Sequence, residues 1–203
     1  MTRKELTFDR LDLVLYQYKC GVNCPLKASA ERGNKVMSET PDNLNDAFAG
    51  ESQANQRYLA FARKAQQDGY EQIAKLFRAA AAAETVHAQN HFQAKGGLQE
   101  TLENLKVAAE GEAQEFRDMY PAFIEKAKEE GESNARQTFH YANKVEEIHH
   151  ELYQKAINAV EGGDDLPEKD IYVCTQCGNT VEDRAPQSCP ICGAPQEDFM
   201  LVE

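Results

Sequence analysis

The chain has 203 residues, 41% hydrophobic and 28% charged, enough for one ordinary domain and a small module. Its 34 acidic and 22 basic residues leave a net charge of -12, which excludes the basic surface that phosphate recognition needs and so a nucleic-acid partner. Charges scattered through residues 1–20 exclude a signal peptide, and no apolar run approaches a membrane span, so the expectation is a cytoplasmic protein with no membrane partner.

Residues 1–39 show no sustained helical period and read as an N-terminal appendage and linker of unassigned role. They carry Cys20-x-x-x-Cys24, open to three readings: an incomplete metal knuckle, a redox pair, or no function. They also carry Met37, a possible alternative start. A first helix is expected from Thr40-Pro41, with Thr40 as N-cap and Pro41 at the first helical position, to Asp68-Gly69. A second should run from about Tyr70 to Lys95. Its alanine block, residues 79–83, implies close approach to a neighbouring helix, and Gly96-Gly97 stop it. A third should run from about Gln99 to Glu130, bent near Pro121, because an interior proline removes a hydrogen bond and crowds the preceding turn. Gly131 precedes a fourth, about Glu132 to Glu161, closed by Gly162-Gly163. Residues 40–163 thus form a helical domain and 164–169 a short acidic linker. Residues 170–203, rich in turn residues and poor in apolar ones, need a metal to fold.

The helical region contains a duplication. Gly50-Glu51-Ser52-Gln53 precedes Glu84-x-x-His87, and Gly111-Glu112-Ala113-Gln114 precedes Glu146-x-x-His149. The glutamate-to-glutamate intervals are 33 and 34 residues, so each half reads as a helical hairpin, and two hairpins make a pseudo-symmetric four-helix bundle with two metal positions. Residues three apart share one face of a helix, which lets Glu and His reach the same ion or adjacent ions. Glu115 adds a fifth carboxylate where the first half has Ala54. Five glutamates against two ferrous ions leave a formal charge of about -1, whereas five buried carboxylates without metal would be prohibitively costly. A single Glu-x-x-His is common on solvated helix faces; two in register, each with an upstream glutamate, are not. His91 has no partner in the repeat and reads as structural or supporting, and His140 and His150 as surface or packing residues.

Cys174-x-x-Cys177-Gly and Cys189-Pro-x-Cys192-Gly form two knuckles offering four thiolates in tetrahedral array, with glycines that let backbone N–H groups approach sulfur. Iron and zinc share this ligand set, and a purely structural zinc ribbon is the alternative.

Taken together, residues 49–54 (Ala-Gly-Glu-Ser-Gln-Ala), the paired Glu-x-x-His motifs, Gly111-Glu112 with Met119-Tyr120-Pro121, and Ile171-Tyr172-Val173-Cys174 resemble the rubrerythrin family over about residues 41–203. The resemblance implies an all-α, ferritin-like four-helix bundle followed by a small rubredoxin-like module. It implies a non-haem di-iron centre held by Glu51, Glu84, His87, Glu112, Glu115, Glu146 and His149, with Tyr58 and Tyr120 hydrogen-bonding ligand carboxylates. It also implies a mononuclear iron on Cys174, Cys177, Cys189 and Cys192 that passes electrons onward. The activity implied is two-electron reduction of hydrogen peroxide to water in oxidative-stress defence, with one iron exchanging Glu115 for His87 on redox change. The electron donor would be a rubredoxin or an NAD(P)H-dependent reductase. The alternative is a ferroxidase or iron-handling protein, which has less need of an electron-transfer module.

One interval bears on assembly. His87 and Glu112 are 25 residues apart, and about twenty of these belong to helices rising 1.5 Å per residue. That leaves roughly 20 Å of extended chain for a climb nearer 30 Å along a closed bundle. The expectation is a homodimer in which helices are exchanged, so that Glu51, Glu84 and His87 of one chain meet Glu112, Glu115, Glu146 and His149 of the other.

Overall fold

The computed structural model describes residues 39–203; the readings of residues 1–38, including Cys20, Cys24 and Met37, lie outside the described residues. Helix α1 spans Thr40–Gln67 and α2 spans Glu71–Ala94. Thr40 is the first helical residue, not the cap: Glu39 holds that position in a right-handed helical conformation, and Pro41 sits in the first turn, where its missing N–H costs nothing. Helix α3 (Thr101–Gln114) runs through a π-helical turn, Glu115–Met119, into α4 (Tyr120–Glu130). The bend expected near Pro121 is therefore a π-turn just before it, where the Tyr120 N–H reaches back to the Glu115 carbonyl. Gly131 adopts the left-handed conformation (φ 74°) that ends α4, and α5 spans Ser133–Gly162.

Helix α1 packs along α2, and α3 and α4 pack along α5, giving two hairpins. The buried residues of the first hairpin are all alanines: Ala54, Ala62 and Ala65 on α1, and Ala74, Ala81 and Ala88 on α2. Small side chains let the two backbones approach closely but bury little apolar area, and the large apolar side chains face outward. Leu76 is 68% exposed, Val86 55% and, on the second hairpin, Val107 67%. The two hairpins do not pack extensively on each other. The four helices of the ferritin-like architecture are all present, but as two halves each showing an uncovered apolar face. No helix among the described residues is long and apolar enough to cross a membrane.

After the linker comes a three-stranded antiparallel sheet in the order β2-β1-β3, with β1 Ile171–Cys174, β2 Thr180–Glu182 and β3 Phe199–Leu201. Its core is Cys174, Cys189 and Ala194 with Ile191 and Phe199 against them, too little to fold on burial alone.

Candidate metal centres

Two triads occupy the hairpins. On α1 and α2, ligand atoms of Glu51, Glu84 and His87 lie within 4.8 Å of one another, and Glu112, Glu146 and His149 on α3 and α5 do the same. His87 Nδ1 is 2.9 Å from Glu84 Oε2 and 3.8 Å from Glu51 Oε1; His149 Nδ1 is 2.8 Å from Glu146 Oε2 and 3.9 Å from Glu112 Oε1. The geometry is repeated to within 0.1 Å because each triad is built by the same means, one carboxylate from the first helix and an i, i+3 pair from the second. Among the described residues of one chain no ligand cluster combines the two triads.

The duplication extends beyond the ligands. Tyr58, Phe61 and Phe77 form a ring cluster with centroid separations of 6.3, 6.3 and 5.5 Å, and Tyr120, Phe123 and Phe139 reproduce the same three values. Glu51 and Glu112 differ by 61 in number but Tyr58 and Tyr120 by 62, so one extra residue has entered between them. The π-turn absorbs it. The unequal intervals of 33 and 34 residues are the signature of that turn, a signal that the periodicity alone did not reveal. Glu115, the carboxylate with no counterpart in the first half, is the first residue of the π-turn.

Electrostatics in the second half reflect crowding of acids. Burial, then the Glu146 carboxylate, holds Glu112 above the usual carboxylate range; burial, then Glu112, does so for Glu115. The Tyr120 hydroxyl is pushed up by burial and by Glu115, Glu146 and Glu112. Tyr153 is pushed up by burial and then by Glu112 and Glu146, which makes it a further tyrosine beside the carboxylates. It escaped notice because the first half places His91 at the equivalent position, seven residues after the Glu of Glu-x-x-His. His91 itself joins no ligand cluster among the described residues. His150 is a packing residue, as expected: its Nδ1 bonds the Ala109 carbonyl at 2.8 Å and its ring packs on Phe116. His140 lines a shallow surface recess with Ile124 and Tyr141.

In the small module the sulfurs of Cys174 and Cys192 are 3.7 Å apart, and those of Cys177 and Cys189 3.6 Å. A disulfide is excluded at that separation, whereas a tetrahedron with metal–sulfur bonds of about 2.3 Å has edges of about 3.8 Å. The two knuckles are replicas: Gly178 N–H donates to the Cys174 carbonyl and Gly193 N–H to that of Cys189. Burial pushes the Cys177 thiol up. At Cys189 burial acts the same way but is overcome by the backbone N–H groups of Cys192 and Ile191, which bring that thiol down to about 7. The fully buried Asn179 amide adds a long contact of 3.7 Å to Cys189 Sγ.

The donor sets fit a carboxylate-bridged di-iron centre and a four-thiolate iron or zinc site. Each imidazole aims Nδ1 between two carboxylates, an arrangement that a cation between them accounts for. A consequence is readable in pH. A carboxyl held above its ordinary value of 4.5 binds its proton more tightly folded than unfolded. Its contribution to stability is therefore complete below 4.5 and is lost as pH rises through the raised value. Chelator-treated protein should thus gain thermal stability when pH is lowered from 7 toward ~5, while iron-loaded protein should lose it because protons compete for the ligands. Thermal unfolding of both forms across that range checks the opposite slopes.

Residues 42–157 match the rubrerythrin family profile, and residues 172–200 match that of the rubrerythrin rubredoxin-like domain. The chain is 40% identical over 191 residues to a rubrerythrin of Porphyromonas gingivalis, covering 86% of this chain and 96% of that protein. It is 38% identical over 178 residues to nigerythrin of Nitratidesulfovibrio vulgaris (81% and 87%) and 36% identical over 174 residues to rubrerythrin-2 of Clostridium acetobutylicum (79% and 95%). Among solved structures, a mixed-valence nigerythrin aligns at 34% identity, covering 85% of this chain and 91% of its own, with a TM-score of 0.47; a fully reduced, all-ferrous nigerythrin aligns at 36%, 83% and 89%, also at 0.47. With both profiles matched in order across helices and cysteine module, and relatives of this identity aligned over most of their length, the chain belongs to the rubrerythrin family of oxidoreductases.

Proposed function

We propose that the protein is a cytoplasmic peroxide reductase of oxidative-stress defence. The observation that carries the reading is the seating of the cysteine module against the second hairpin, where β2 packs on α5 and Thr180 bonds His149. An electron-entry module on the ligand of a di-iron site serves a redox turnover, which iron storage does not need. A di-iron pair held here would supply the two electrons that, with two protons, convert one hydrogen peroxide into two waters, and an iron on the four cysteines would return them one at a time.

The residues that hold the pair are Glu51, Glu84, His87, Glu112, Glu115, Glu146 and His149. Tyr120 and Tyr153, whose hydroxyls are kept protonated by burial and the surrounding carboxylates, serve as donors that orient those carboxylates, and Tyr58 takes the Tyr120 role in the first half. The halves differ where exchange of Glu115 for His87 would need it: Glu115 has no counterpart, and the His87 side chain is 52% exposed with no described residue bonding its Nε2. Because each chain carries two separate half-sites and uncovered apolar faces, the active form is a dimer with exchanged hairpins, and its electrons come from a rubredoxin or an NAD(P)H-dependent reductase.

Metal analysis with an anaerobic peroxide titration tests the reading. The expected result is about three irons per chain and reoxidation of the reduced protein by stoichiometric peroxide but only sluggishly by dioxygen. Oxygen-driven accumulation of iron mineral would replace it with an iron-handling function, and zinc on the cysteines would remove the electron route.

A further inference from the structure

The turn at Gly178 and strand β2 lie against α5. An ideal Cβ on Gly178 would stand 3.7 Å from Val145 Cγ1, Thr180 Oγ1 is 2.9 Å from His149 Nε2, and Glu182 pairs with Lys155 at 2.6 and 2.7 Å. Beside this contact lies a recess of about 340 Å³ lined mainly by apolar side chains, among them Leu105, Leu152, Ala156, Leu166 and Ile171, together with Lys155 and Glu182.

The Thr180 hydroxyl has a second partner. The hydroxyl proton can pass to the Gly178 carbonyl at 3.2 Å, which leaves Oγ1 to accept from Nε2–H once a metal occupies Nδ1 of His149. Nδ1 is the atom aimed at Glu146 and Glu112, at 2.8 and 3.9 Å. The first half has no such arrangement at His87.

We infer that Thr180 is a positioning residue: its contact with Nε2 fixes the ring orientation of His149 with Nδ1 facing Glu112 and Glu146, so that seating of the cysteine module and metal binding at the Glu112, Glu146 and His149 half-site depend on one another. The dependence is reciprocal, because whatever free energy module seating adds to metal binding, metal binding returns to seating. It makes the His149 half the rigid one, and it lies between two metal sites otherwise treated as separate. Thr180 was invisible in the sequence because it belongs to neither ligand motif.

The inference rests on His149 being a ligand, and the experiment separates the two. In full-length protein with the cysteine site filled, ferrous titration of the bundle is followed in wild type and in T180V, T180S and H149A. The absorption of the cysteine site reports that each variant's module is folded. T180V, which keeps shape and strand preference, should weaken metal binding at this half about 10- to 100-fold, as loss of such a partner commonly does. T180S should restore it. Amide exchange at residues 180–182 should slow on iron loading in wild type and not in T180V. Unchanged affinity in T180V alongside a loss in H149A would overturn the positioning role alone, as would T180S failing as badly as T180V; unchanged affinity in H149A would overturn the ligand reading beneath it.

Discussion

Mixing two inactive variants, E84A and E146A, should restore about a quarter of wild-type peroxide reduction. If hairpins are exchanged, each homodimer carries two broken sites. A heterodimer carries one doubly broken site and one built only from intact halves: Glu51, Glu84 and His87 of the E146A chain with Glu112, Glu146 and His149 of the E84A chain. Random reassociation makes about half the dimers mixed, and half the sites in those are whole. A bundle closed within one chain admits no such rescue. Co-expression with distinguishable tags, purification of the mixed species and a peroxidase assay give the answer, and complete inactivity of the isolated heterodimer would rule out the exchanged arrangement. The expectation stands on physical grounds in the described chain: the triads sit in separate hairpins, and side chains such as Leu76 and Val107 are 68% and 67% exposed where a soluble monomer would bury them.

The E146A variant by itself should lose one metal from each bundle site and lower peroxide reduction by at least ~100-fold. Partners outside the coordination sphere are commonly worth 10- to 100-fold, and Glu146 stands at 2.8 Å from His149 Nδ1 and raises the carboxyl of Glu112, so its removal strips both a ligand and the charge balance of the half-site. The cysteine site should keep its absorption, since its four sulfurs belong to a separate small core. Full metal content and activity in E146A would remove it from the ligand set.

Much of the architecture was legible before any coordinates. Helix bounds fell within a residue or two, because Pro41, Gly69, Gly96, Gly131 and Gly163 mark ends by backbone chemistry that needs no tertiary context. The cap at Glu39 instead of Thr40 shows the ordinary limit of that reading, since helix ends are decided by one local bond. The two triads were legible because a duplicated motif at fixed spacing places its side chains on one helix face wherever the helix goes. The π-turn was encoded in the one-residue difference between the repeats, but a count does not say where along 34 residues the surplus will settle; the structure places it at Glu115–Met119, between Glu112 and Tyr120.

By itself, then, the sequence determined the local elements, the two Glu-Glu-His triads and the cysteine knuckles, because each depends on residues a few positions apart or on an exact repeat. Only the tertiary structure decided that the hairpins stand apart, that Tyr153 joins the carboxylates where the repeat has His91, and that Thr180 reaches His149 across 31 residues. Those outcomes depend on how one folded element seats on another, and that seating is settled by side-chain shape and hydrogen bonding between segments whose separation in the chain carries no information about their separation in space.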